Sequence, residues 1–71
     1  MSTEIVAPMP GTVVEVLVEI GDKVTENQDV IVLESMKMNN SIPTRTAGKV
    51  KEIKVSEHDK VASKQVLVII E

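Results

Sequence analysis

Moving the chain by 37 positions lays its second half on its first, and this internal repeat restricts the fold more than any other feature of the sequence. Gly11 falls on Gly48, Val13 on Val50, Glu15 on Glu52, Val18 on Val55, Asp22-Lys23-Val24 on Asp59-Lys60-Val61, Gln28 on Gln65 and Glu34 on Glu71. Carried backwards, the register pairs Ile5 with Ile42 and Met1 with Met38. The units are therefore 1–34 and 38–71, with only Ser35, Met36 and Lys37 between them. A repeated unit of this size commonly cannot bury its apolar face without its neighbour. Two copies are too few for a solenoid, so the expectation is one closed domain, residues 1–71, with a pseudo-twofold axis. That axis maps Glu34 and Met38 onto Glu71 and Met1, which predicts chain ends lying side by side at the pole opposite Lys37.

A chain of 71 residues is near the lower limit for a single unaided core. With no Cys there is neither a disulfide nor a thiolate metal site, and a reducing compartment is expected. Met1-Ser2-Thr3-Glu4 has no basic region and no long apolar stretch follows, so the expectation is a cytoplasmic protein without signal peptide or membrane insertion. A net charge of −3, with lysines interspersed among acids, offers no phosphate-neutralising surface. Aromatic residues are absent, which removes base-stacking platforms as well. Nucleic acid is thereby argued against as a partner. His58, the single histidine, lacks companions at metal-ligand spacing, so no metal site is expected.

Val and Ile recur in short runs broken by Gly, Pro, Asp and Asn, with no helical period anywhere. The pattern predicts an all-β fold with strands at about 4–7, 11–18, 23–24, 29–35, 38–43, 48–55, 60–61 and 65–70. Val30-Ile31-Val32-Leu33 and its copy Leu67-Val68-Ile69-Ile70 are apolar throughout, as strands at the centre of a small sandwich would be. Positions apolar in both copies define the expected core: Val13, Val16, Val18 and Val24 with Val50, Ile53, Val55 and Val61. Val14 and Leu17 instead align with Lys51 and Lys54, so they are expected to point outward, either as a docking patch or as ordinary surface aliphatics. Gly21-Asp22 reads as a turn needing positive φ. Its copy His58-Asp59 must accept the same backbone less freely, and the surface turn is the expected role of His58.

Local propensity would place the central turn at Asn39-Asn40-Ser41, whereas the repeat makes those residues the start of unit two. The repeat is the longer-range signal, and it sets Lys37 on an exposed hairpin tip flanked by Met36 and Met38. Spaced two apart, the methionines would share a face opposite Lys37 if the backbone were extended. There they would either plug one end of a barrel or form an adaptable contact surface.

Glu34-Ser35-Met36-Lys37-Met38 is similar to the Glu-Ala-Met-Lys-Met motif of biotinyl (biotin carboxyl carrier) domains, in the biotinyl/lipoyl attachment family. Ala7-Pro8-Met9-Pro10-Gly11-Thr12-Val13 resembles their usual opening, and the likeness runs the whole chain. Met-Lys-Met alone is a weak signal. Centred between two copies and preceded by Pro-Met-Pro-Gly, it is a specific one. Ser35 departs from the commoner Ala, and Asn27, His58 and Lys64 stand where the family often has Gly, which bears on turn geometry. No inserted "thumb" loop separates Val18 from Lys23, so the chain looks like the thumb-less subtype.

The resemblance implies a flattened barrel or sandwich of two four-stranded antiparallel sheets with pseudo-twofold symmetry. It implies a non-catalytic carrier with biotin in amide linkage to Lys37, and Met36, Met38, Glu34 and Ser35 forming the recognised hairpin. It further implies three protein partners: a biotin protein ligase that attaches the cofactor, and a biotin carboxylase and a carboxyltransferase between which it moves carboxyl groups. A free lysine is protonated at neutral pH, its pKa being about 10.4, so acylation requires a ligase and an activated acyl group. Two alternatives stay open. One is a lipoyl, or dual biotin and lipoyl, carrier of the same architecture, although such tips usually pair the lysine with an acid. The other is an unmodified interaction module docking through Val14, Leu17 and the methionines.

Overall fold

The structure, a computed structural model, describes residues 2–71. Runs of β-branched residues punctuated by turn formers give eight strands and, among the described residues, no helix. In chain order these are β1 (Thr3–Val6), β2 (Gly11–Val16), β3 (Lys23–Val24), β4 (Asp29–Ser35), β5 (Met38–Pro43), β6 (Gly48–Ile53), β7 (Lys60–Val61) and β8 (Val66–Ile70). Two four-stranded antiparallel sheets result, ordered β1-β8-β6-β3 and β5-β4-β2-β7. The all-β, two-sheet expectation is borne out.

The register repeats with the sequence. Ile5 pairs with Val68 as Ile42 pairs with Ile31, and Val13 with Leu33 as Val50 with Ile70. Gly11 pairs with Val61 as Gly48 pairs with Val24. Each copy therefore lends two strands to either sheet, and neither copy could close a sheet alone. The apolar spines β4 and β8 occupy inner positions of their sheets, which is why both are apolar at successive positions.

Four strands differ in their bounds from the sequence reading: β1 runs 3–6 instead of 4–7, β8 begins at Val66 instead of 65, and β2 and β6 stop early. Strands β2 and β6 end at Val16 and Ile53, not at 18 and 55. The Leu17 N–H still donates to the Val30 carbonyl at 2.9 Å, and Lys54 to Leu67 at 2.8 Å, before the chain leaves the sheet. Val18 and Val55 remain buried beyond that point, so apolar pattern and ladder end at different residues. Val16 and Ile53 are only partly buried and pack against the core from its margin. The other six residues of the expected core set are buried, together with Ile5, Ile42 and the inward residues of both spines.

The aligned pairs Asp22/Asp59 and Gln28/Gln65 have a local cause. Asp22 Oδ2 accepts the Glu19 N–H at 2.9 Å and Asp59 Oδ2 the Ser56 N–H at 2.9 Å. Gln28 Oε1 accepts from Thr25 and Gln65 Oε1 from Ala62, each at 3.0 Å. Short polar side chains that close a turn on the backbone relieve donors the ladder leaves unpaired. The turn residues adopt the left-handed region in matched pairs, Gly21 with His58 (φ 95° and 75°) and Asn27 with Lys64 (71° and 70°). His58 is thus exposed and strained in a surface turn.

Candidate functional site: the β4–β5 hairpin

Strands β4 and β5 pair down to Ser35 opposite Met38, leaving a two-residue turn of Met36 and Lys37. Both turn residues have positive φ, 54° and 64°. This is the backbone of a primed hairpin turn, whose twist matches that of the flanking strands. Neither residue is Gly, Asn or Asp, so the usual turn signal is missing here. Asn39 and Asn40, which carry that signal, lie inside β5. Ser35 belongs to β4 and is half-buried, so the connection is shorter than residues 35–37.

The left-handed turn also corrects the expectation that Met36 and Met38 share one face opposite Lys37, which required extended backbone. Met36 is 92% exposed and Met38 67%, which removes them as plugs of the barrel end. Lys37 is exposed between them. The described residues contain one ion pair, Lys54 with Glu52, and Lys37 is not part of it. A primary amine and two thioethers thus stand at the tip in reach of a protein that approaches end-on.

Beneath the tip the support is rigid. Glu34 lies between Thr12 of β2 and Asn39 of β5 in the ladder, with its side chain exposed. A Cβ on Gly11 would sit 2.6 Å from the Glu34 carbonyl oxygen, so only Gly lets β2 come this close beside the hairpin. The Asn40 side-chain amide donates to the Met38 carbonyl at 3.2 Å and braces the strand that leaves the turn. Pro10, Gly11, Thr12, Lys60 and Val61 line a shallow groove beside Ser35, Met36 and Lys37. Sequence reasoning missed the roles of Asn40, which braces Met38 locally, and of Lys60, which its pairing with Thr12 brings to the tip. The Pro8-Met9-Pro10-Gly11 opening did signal Gly11, without showing what the glycine is for.

The chain ends lie elsewhere. Thr3 pairs with Ile70, the counterpart of Asn40 with Leu33, so the ends meet at the position the dyad relates to the hairpin. The inferred pairing of Met1 with Met38 lies outside the described residues. The molecule extends 32 × 17 × 17 Å.

Residues 3–70 match the sequence family described as biotin-requiring enzyme. The chain belongs to that family. It is 56% identical over 50 residues to a biotin carboxyl carrier protein of Streptococcus mutans, covering 70% of this chain and 38% of that protein. It is 43% identical over 70 residues to the mitochondrial propionyl-CoA carboxylase alpha chain of Mus musculus, covering 99% of this chain and 10% of that one. The chain thus spans well under half of either relative. Among solved structures, the Kluyveromyces lactis urea carboxylase superposes with a TM-score of 0.95 at 22% identity, over all of this chain and 6% of that one, which speaks to the fold. A single-chain, multi-domain long-chain acyl-CoA carboxylase gives 0.90 at 26% identity, over 96% and 7%. The family resemblance read from the motif is borne out, and with it a carrier domain whose cofactor is biotin.

Proposed function

We propose that Lys37 is the attachment site, holding biotin through an amide on Nζ, and that residues 1–71 act as one biotinyl domain. The carrying observation is the exposed two-residue turn that presents this one amine on a ladder closed right up to Ser35 and Met38. In the attachment step the Lys37 amine, after losing a proton to the ligase or to water, attacks the acyl carbon of a biotinyl adenylate. One amide bond forms and AMP leaves. Met36 and Met38 supply an adaptable apolar contact for the ligase, and Glu34 and Ser35 fix the strand from which it approaches.

When bound, biotin supplies a ureido nitrogen that accepts and releases a carboxyl group. The chain's own contribution is presentation. The Gly11 approach and the Asn40 brace hold the turn against the body, so a ring tethered at Lys37 is confined near whichever active site the tip enters, at raised effective concentration. The partners in this reading are a biotin protein ligase, a biotin carboxylase and a carboxyltransferase. The working location is the cytoplasm, in keeping with a sequence free of cysteine.

Intact mass measurement on protein made in its native host, beside Lys37→Arg, tests this. One biotinyl increment in the wild type and none in the variant is expected. A lipoyl increment, no increment, or labelling that survives in the variant contradicts it.

A further inference from the structure

The chain has four methionines and no Cys, Trp or Tyr to compete with them for an oxidant, so a peroxide meets thioether sulfur as its main target. The sulfurs are not equally placed. Met36 is 92% exposed and Met38 67%, whereas Met9 is half-buried and Met1 lies outside the described residues. An oxidant must reach a sulfur to react with it, and the two that stand open flank the lysine of the hairpin tip on either side.

Oxidised methionine usually harms a protein by forcing a polar group into a packed interior. That route is closed here. Met36 and Met38 lie outside the hydrophobic core cluster, and an oxygen added to either sulfur meets solvent. The turn is held by backbone, through the pairing of Ser35 with Met38 and through the Asn40 amide, which donates to the Met38 carbonyl at 3.2 Å. Neither contact involves a sulfur. The chemical change is therefore confined to the surface that the tip presents, where two adaptable apolar side chains become polar and chiral. A protein that closes over Lys37 end-on must cover them, and a site shaped for a thioether then buries a sulfoxide oxygen with no donor supplied for it.

We propose that Met36 and Met38 are oxidation sites through which hydrogen peroxide reversibly blocks acylation of Lys37 while the domain stays folded. A lone pair on sulfur attacks one peroxide oxygen; the S–O bond forms, the O–O bond breaks, and the other oxygen leaves as water with both protons. Sulfur loses two electrons and the peroxide gains them. A methionine sulfoxide reductase reverses the step with two thiols, which end as a disulfide while the oxygen departs as water. The effect on acylation rests on the carrier reading above; the choice of sulfurs does not.

The test treats unlabelled carrier with hydrogen peroxide, removes the oxidant, and adds the biotin protein ligase of the same host with biotin and ATP. Peptide mass mapping should find sulfoxide on Met36 and Met38 before Met9. Labelling below ligase saturation should slow about tenfold or more, with the urea midpoint unmoved. Reduction by the two methionine sulfoxide reductases, one for each epimer, should restore mass and rate together. Each compared with its own untreated rate, M36L/M38L should lose the sensitivity and M9L should keep it. Oxidation of Met9 first, a treated rate within about twofold of the untreated one, a loss that the reductases fail to reverse, or slowing matched by unfolding would each overturn the proposal. Untreated protein that takes no biotin would overturn the carrier reading and this effect with it, a result distinct from normal labelling that oxidation leaves untouched.

Discussion

One pole of this molecule joins a pair of strands by a turn, and the dyad-related pole leaves the equivalent pair unjoined. At the first, β4 and β5 are connected by Met36 and Lys37; at the second, β8 and β1 hold the same register, Thr3 opposite Ile70, with no turn between them. Pairing runs on to Ser35 opposite Met38 at the first and stops at Thr3 opposite Ile70 at the second, yet both pairs of strands keep the same register, with a turn or without one. The hairpin tip is therefore not needed to hold β4 against β5, and its residues are free to serve recognition and chemistry.

The largest test of that equivalence lies in the core. Leu33 and Ile70 are dyad partners, 0% and 1% exposed. Truncating either to Ala should cost about 2–5 kcal/mol by urea unfolding, with the two values alike. A loss confined to Leu33 would mean that the hairpin pole carries the fold. Next come the two close approaches. A Cβ on Gly48 would meet the Glu71 oxygen at 2.5 Å, as one on Gly11 would meet that of Glu34 at 2.6 Å. Glu34 is ladder-paired on both sides, whereas Glu71 bonds to Lys49 alone among the described residues. Gly11→Ala should therefore cost about 1–3 kcal/mol and Gly48→Ala distinctly less. Equal costs would show the open pole to be as stiff as the closed one.

Smaller effects follow at the turns. His58 pays for a left-handed backbone that Gly21 adopts freely, so His58→Gly should stabilise by up to about 1 kcal/mol and Gly21→Ala should destabilise by about 1–2 kcal/mol. Melting curves that move together in direction would contradict the matched-turn account. Smallest of all is the tip: Lys37→Ala should shift unfolding by no more than about 0.5 kcal/mol while abolishing labelling. A larger shift would make the tip structural.

The repeat made most of this architecture readable before any coordinates. Paired apolar positions named six buried valines, and the repeat placed Lys37 on the tip against the local pull of Asn39 and Asn40. Other features were hidden for physical reasons. Val16 and Ile53 look like core in both copies yet sit at its margin, because the ladder ends where the chain begins to leave the sheet. The turn at Met36 and Lys37 has no glycine to announce its positive φ, so the methionine geometry could not be inferred from spacing. Asn40 lies three residues past Lys37, but its side-chain bond to Met38 has no sequence signature, and Lys60 reaches the tip only through its cross-strand pairing with Thr12.

Mapping the modified residue in a proteolytic digest of protein from its native host reads the central claim directly. Of the seven lysines, biotin should be found on Lys37 and on no other. Biotin on Lys60 or Lys64, or a digest in which Lys37 is unmodified throughout, would contradict the account.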